Sequence, residues 1–373
     1  MEKQIVSKSK VISFAGAFIA FLIGSGFATG QEVLQYFTSY GYFGMAGVLV
    51  VYLLFLYVGI NFITVGQEQN FPKGSDIFRY YCGKSLGTFF DYFSIIFIYM
   101  SFVVMIAGAG ATINQQYGFN LSVGGILMGI LAAGTVIFGL GKIVDVIGKI
   151  GPIIVVMSIF LGMASILKNP EGLTQANNII PKLNLMKASS NWFFAAGSYV
   201  GFCMLWLASF MASMGATANS KAEAKLGAIY GATGFSLAVL IVALGLMANI
   251  EQVAGTMIPS LYLASNIHPV LSTIFSIIIV AGIYTTAVPL LWSVSSRFLD
   301  EKTIKFKVLT MVLSIIGVFV GLKIPFNKLV NIVYVINGYV GILLLLLMFI
   351  KTLKTQNFSV KTKSSTLKID SEI

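Results

Sequence analysis

Charge is scarce in this 373-residue chain: 10% of its residues are Asp, Glu, Lys or Arg, against about 25% in soluble globular domains. With 57% hydrophobic residues, too little polar surface remains to face water. A soluble enzyme, a disordered chain and a nucleic-acid-binding protein are all poor readings. Histidine and cysteine are nearly absent. His268 and the distant pair Cys82 and Cys203 cannot build a zinc site or a disulfide framework, so two free thiols are expected. HExxH, Walker A, CxxC and GxSxG with triad partners are missing as well. The chain is therefore not expected to be an enzyme. No cofactor is expected, a bound Na+ ion being the one candidate. His268, next to Pro269, reads as a loop residue.

What is present is long apolar runs free of Lys and Arg, each near the 20 or so residues that cross a bilayer. They cover 11–37, 42–65, 89–113, 121–140, 150–167, 192–216, 226–249, 269–296, 308–322 and 329–350. Lys3, Lys8 and Lys10 precede the first run as in a signal peptide. No small-residue cleavage signal follows, so the first span is expected to be retained. The expectation is an all-α polytopic membrane protein with ten transmembrane helices. Its divisions are a cytoplasmic N-terminus over 1–10, a transmembrane domain over 11–350 and a cytoplasmic tail over 351–373.

The basic residues set the orientation. Nineteen of the 24 lie on the side of both termini, and five (Lys168, Lys182, Lys187, Lys323 and Lys328) lie opposite. The positive-inside rule then places both termini in the cytoplasm. The net charge of +11 is thereby an orientation signal in a lipid bilayer and requires no nucleic acid.

Ten spans divide into two halves of five, about 11–167 and 192–350, which would be inverted with respect to one another. Phe93-Ser94-Ile95-Ile96 recurs 182 residues later as Phe275-Ser276-Ile277-Ile278, and Gly139-Leu140 recurs as Gly321-Leu322 at the same offset.

The first span carries the chemistry. Gly24-Ser25-Gly26-Phe27-Ala28-Thr29-Gly30-Gln31-Glu32 places three glycines, two hydroxyls and a carboxyl group in nine residues at membrane depth. Each glycine costs a helix about 1 kcal/mol relative to alanine, so a break is expected near Gly24 to Gly26. The outer half-helix would begin near Phe27 and point free amide groups at a carboxylate. The inner half would end in free carbonyls around Ala20 to Ile23, suited to a cation. The alternative is a packing face built on Gly26-x-x-x-Gly30. Glu32 is the one acid well inside a span, a candidate for amine binding or proton coupling. By the 182-residue offset, a partner break falls in span six near Gly201 to Ser209, where Tyr199, Phe202 and Trp206 would enclose a side chain. In span eight, Thr285 and Thr286 either turn hydroxyls toward an ion or bond back to the preceding turn. Gly108, in the small-residue run Met105 to Ala111, leaves room for a substrate.

The run Gly24 to Glu32 resembles the signature of the YkvI-type family of bacterial membrane proteins, and Met105 to Ala111 resembles that family's third span. The resemblance covers all ten spans and implies the five-plus-five LeuT arrangement, with spans one and six discontinuous, in a bacterial cell membrane. It implies that Gly24, Ser25 and Gly26 form an unwound substrate-contacting turn. It further implies a sodium site from the Ala20, Ile23 and Ala281 carbonyls and the Thr285 hydroxyl. Tyr284 stands where a further hydroxyl ligand is usual, and Asn114-Gln115-Gln116 stands where the family often has an acid.

The expected function is a secondary transporter of a small amino acid or related zwitterion, coupled to Na+ or H+. Its expected substrate-binding residues are Gly24, Ser25, Gly26, Phe27, Glu32, Gly108, Tyr199, Gly201 and Phe202. The rival is an amino-acid-sensing receptor subunit of the germinant-receptor type, which binds without transport. A channel is disfavoured by the lack of a polar pore-lining ring.

Overall fold

A computed structural model describes residues 6–138 and 143–369, with side chains over 6–138 and 150–354. Lys3, Lys142 and the Gly139-Leu140 half of one repeat match lie outside the described residues. The described chain is helical throughout, without strands. In order, the helices are α1 (Lys8–Leu22), α2 (Ser25–Thr29), α3 (Gln31–Tyr36), α4 (Tyr42–Gln69), α5 (Asp76–Tyr117), α6 (Leu121–Phe138), α7 (Ile143–Lys168), α8 (Pro170–Ile179), α9 (Trp192–Gly215), α10 (Lys221–Ala248), α11 (Ile250–Val253), α12 (Pro259–Ile267), α13 (Pro269–Phe298), α14 (Ile304–Lys323) and α15 (Phe326–Ile369).

Among the described residues, nine helices are long and apolar enough to cross a membrane: α4 to α7, α9, α10 and α13 to α15. They coincide with predicted spans two to ten. The first predicted span is present as α1, α2 and α3 in succession. Ser7 caps α1 by accepting from the Lys10 amide, and the helix ends at Ile23, whose backbone is extended (φ −90°, ψ 101°). Gly24 continues the extended stretch (φ −109°, ψ −170°). A second bend follows at Gly30, where φ is +80°. That left-handed conformation suits glycine, and a Cβ there would also stand 2.6 Å from Ser260 Oγ.

The prediction of a broken span six is corrected. α9 runs unbroken from Trp192 to Gly215. Its glycine at 201 serves close helix approach: a Cβ there would collide with the Gly338 carbonyl of α15, and a Cβ at Gly341 would collide with the Gly201 carbonyl. Small residues that let two backbones touch are the usual device of membrane helices.

Contacts at the two ends respect the predicted sidedness. At the basic end, Lys10 Nζ donates to the Thr217 carbonyl at 2.7 Å, Ser7 N donates to Glu223 Oε2 at 2.8 Å, and Lys221 pairs with Glu68. At the other end, Tyr40 OH donates to the Ser189 carbonyl at 2.6 Å and Tyr42 N donates to Asn177 Oδ1 at 3.0 Å. Spans aligned by the 182-residue offset pack on one another: α4 on α10, α5 on α13, and α6 on α14. His268 caps α13 by accepting from the Val270 amide.

Candidate functional site

The break leaves two sets of backbone groups without helical partners. The Ile23 amide reaches back to the Ala20 carbonyl at 3.3 Å. The carbonyls of the last turn of α1 beyond it, and the first-turn amides of α2, have no intrahelical partner. α2 is only five residues long and begins at Ser25, two residues before the predicted Phe27, so it supplies one turn of amides and little macrodipole.

A cavity of about 410 Å³ ends on this break. It is lined by Ala17, Ala20, Phe21, Ile23 and Gly24 of the first span, by Ser94 and Ile98 of α5, and by Gly151 and Ile154 of α7. Leu205, Trp206, Ser209 and Phe210 of α9 and Gly282, Thr285, Thr286, Pro289, Leu290 and Ser293 of α13 complete it. On α7 and α9, and on α13 from Thr285 on, these residues lie in the halves nearer the basic end. Phe21 lines the cavity, and Ser209, Phe210 and Ser293 carry its lining toward the basic end. Phe21 and Phe210 stack with ring centroids 4.1 Å apart.

Just past the cavity lies Glu32. Tyr199 OH donates to its Oε1 at 2.6 Å, and its side chain covers the α-carbon of Gly26. Around it, Tyr36 and Tyr199 stand edge to face at 5.3 Å, and Phe202 stacks on Tyr334 at 4.7 Å. Trp206 stacks on Phe97 at 5.0 Å. Several buried polar atoms here lack hydrogen-bond partners: Ser25 Oγ, Tyr36 OH, Ser198 Oγ, Tyr334 OH and Trp206 Nε1. Ser25 lies close to Tyr334, and Ser198 close to Tyr36, without hydrogen bonds of good geometry. Buried polar groups are normally satisfied, so this density of open donors and acceptors marks a place where a ligand or water belongs.

The opposite end is closed over the site. Gln35 Nε2 donates to the Asn327 carbonyl at 2.8 Å, its Oε1 accepts from Asn331 Nδ2 at 3.0 Å, and its carbonyl accepts from the Ala188 amide.

The structure groups Gly24, Ser25, Gly26, Glu32, Gly108, Tyr199 and Phe202 around the break, but of these only Gly24 lines the cavity. A Cβ on Gly108 would stand 3.4 Å from Ser25 Cβ and 3.0 Å from the Phe326 ring, so Gly108 faces the break with no free space beside it. Two predicted residues are not in the group. Phe27 turns away and packs its ring on Phe235 of α10 at 5.6 Å, and Gly201 is taken up by the seam with α15. Of the cation candidates, Ala20, Ile23 and Thr285 line the cavity, whereas Ala281 is not among its lining residues. Thr285 and Thr286 both donate to the Gly282 carbonyl at 2.9 Å, the back-bonded alternative. Tyr284 hydrogen-bonds Thr135 at 2.7 Å and points to α6.

Sequence reasoning missed Pro289. It lies inside α13 and has no amide hydrogen, so the Thr285 carbonyl loses its helical partner. Thr285 thus offers a carbonyl and hydroxyl lone pairs beside the cavity. These neutral oxygens, with the last carbonyls of α1, are the hard donors that would suit Na+. Tyr36, Ser198 and Tyr334 were also missed; each is one of many similar residues in apolar runs.

The tight packing gives a test. A Cβ on Gly26 would stand 3.0 Å from Glu32 Cβ and 3.1 Å from the Tyr334 ring, and would collide with the Glu32 carboxyl. Gly26→Ala is expected to cost about 1–3 kcal/mol, read as a lower Tm in detergent. Adding Glu32→Ala should recover part of that loss. An unchanged Tm for Gly26→Ala would show that the site is looser than drawn.

No family model matches the chain. It is similar to an uncharacterised membrane protein, YkvI, of Bacillus subtilis (strain 168), with 22% identity over 339 residues, 90% of this chain and 94% of that protein. Its fold is similar to MhsT, solved in complex with L-phenylalanine, at TM-score 0.62 and 16% identity, covering 92% of this chain and 89% of MhsT. It is also similar to a mutant of the Eremococcus coleocola manganese transporter, at TM-score 0.58 and 14% identity, covering 93% of this chain and 79% of that one. The likeness to YkvI thus extends along nearly the whole chain, which is an all-helical, multi-pass membrane protein with the LeuT-type fold.

Proposed function

We propose that the chain is a secondary transporter of a small apolar amino acid or related zwitterion, working by alternating access in a bacterial cell membrane with both termini cytoplasmic. The observation that carries this reading is the cavity that ends on the α1–α2 break. A broken helix offers unpaired carbonyls from one half and unpaired amides from the other, within a few ångströms. A zwitterion carries the matching pair of charges. Its carboxylate meets the Ser25 and Gly26 amides with the Ser25 hydroxyl, and its ammonium meets the last carbonyls of α1. Phe21, Ile98, Leu205, Trp206 and Phe210 give the side chain an apolar wall. The likeness of the fold to MhsT, solved with L-phenylalanine, supports an aromatic or aliphatic side chain. The cavity extends toward the basic end and the Gln35 contacts close the other, which supports reading this arrangement as an inward-facing state. Ile23 and Thr285 would hold Na+ if sodium takes part.

The test is the Tm of the purified protein against the twenty amino acids, L-phenylalanine first, together with their decarboxylated amines and deaminated acids. Each is measured in Na+ and in K+. Ligand at 100 times Kd stabilises the folded state by about 2.7 kcal/mol, and the zwitterions should outperform both truncated series. Trp206→Phe should weaken the shift. Uptake of the best ligand into proteoliposomes of the protein alone is expected. Binding without uptake would favour a sensor, and a panel without any binder would remove the assignment.

A further inference from the structure

Glu32 lies beyond the cavity, not in it. It is 3% exposed, and none of the described Lys, Arg or His residues pairs with it. The titratable groups that face it are Tyr36 from its own helix, Tyr199 and Cys203 from α9, and Tyr334 from α15. α2, α10 and α12, also packed on α3, contribute none. An ionised carboxylate here would be a buried charge with one hydroxyl donor and no counter-ion, a costly arrangement inside a membrane protein. A neutral carboxyl group fits the same surroundings. Between the end of the cavity at Gly24 and the Glu32 carboxyl stand Ser25 and Tyr334, whose hydroxyls are buried and close to one another.

We propose that Glu32 is the proton-coupling site of the transport cycle, and that its proton passes to and from the inner cavity through the Ser25 and Tyr334 hydroxyls. This rests on the transport reading above. With the outer end closed, Glu32 holds a proton. In the inward-facing state its O–H bond breaks. The proton leaves by exchange along the two hydroxyls to water in the cavity, and the electron pair stays on the carboxylate. The carboxylate so formed has no counter-ion in the closed packing. It is stabilised only when the outer end opens and water reaches it, where it takes up the next proton. Proton and substrate therefore move in the same direction, bound a few ångströms apart at different groups.

The experiment compares wild type, Glu32→Gln and Tyr334→Phe in proteoliposomes, using the amino acid that stabilises the protein most. With one proton per substrate, an outside-acid gradient of one pH unit should concentrate substrate up to about tenfold in wild type. Glu32→Gln keeps the shape of a neutral carboxyl group. It should retain binding and substrate exchange while losing all response to the gradient. Tyr334→Phe should slow proton-driven uptake severalfold. A ligand-free readout accompanies these: between pH 5 and 8, wild-type Tm should vary with pH differently from that of Glu32→Gln. A Glu32→Gln variant that still concentrates substrate, or one that folds but no longer binds it, overturns the proposal. So does uptake driven by a sodium gradient and indifferent to pH. If wild type moves none of the panel, the transport reading fails. Parallel melting profiles would then show that Glu32 takes up no proton on folding, which overturns the proton site on its own.

Discussion

Gly201→Val is expected to leave little folded protein in detergent, and Gly201→Ala to lower Tm by roughly 5 °C, equivalent to ~3 kcal/mol. The reason is what a side chain at this position would strike. At buried glycines such as Gly59 and Gly231 a new methyl group meets a side chain, that of Phe18. At Gly201 it meets the Gly338 carbonyl and stands 3.0 Å from the Ile342 amide, both backbone atoms of α15. The obstruction is reciprocal, because Gly341 presses on the Gly201 backbone from the other side. α15 can clear the methyl group only by moving as a helix. That movement would carry Tyr334 off Phe202 and disturb the surroundings of Glu32. Gly197→Ala is the control: a Cβ there would meet only the Ile342 side chain, at 3.7 Å, and should cost little. Similar melting temperatures for Gly201→Ala and Gly197→Ala would refute a tight α9–α15 seam.

That seam explains which part of the molecule was legible in the sequence. The break in the first span could be read because three glycines, two hydroxyls and an acid crowd one short stretch of a span. Glu32 was legible for the same reason, as an acid at membrane depth. Span six offered glycines at 197 and 201 a little before the offset position of the first break, and from sequence a glycine that breaks a helix looks the same as one that lets a neighbour approach. Only the partner distinguishes them, and Gly338 is 137 positions away. Phe27 was misplaced by a related error. Its position beside the break was clear, but a helix of five residues followed by a left-handed glycine turns its side chain toward α10. Tyr36, Ser198 and Tyr334 come from three separate helices, and nothing local sets them apart from other tyrosines and serines. Pro289 was open to a chemical reading, since a proline inside a 30-residue helix must free a carbonyl four residues before it.

The second large effect is expected at the rim of the cavity nearer the basic end. Arg297 Nη2 donates to Asp91 Oδ2 at 2.7 Å, joining the end of α13 to α5, and the guanidinium lies 5.6 Å from the centre of the Tyr92 ring. The Asp91 side chain is 10% exposed and that of Arg297 31%. Removing one partner of a buried pair costs about 3–5 kcal/mol because the other charge is left unpaired, whereas replacing both with apolar residues is often neutral. Partial exposure of the arginine places Arg297→Leu nearer ~2–3 kcal/mol. Arg297→Leu alone should therefore lower Tm clearly, and the double variant Asp91→Leu with Arg297→Leu should recover most of it. Equal losses in the single and double variants would show that the ion pair contributes little. The same cycle run on uptake separates two roles. Ser94, three residues past Asp91, and Ser293, four before Arg297, both line the cavity, so the pair sits one turn below its floor. If it serves only to hold α5 against α13, uptake returns with stability in the double variant. A double variant that melts like wild type yet transports poorly would mean that the charges themselves act on what passes that rim. The ion pair would then belong to the inner gate as well as to the scaffold.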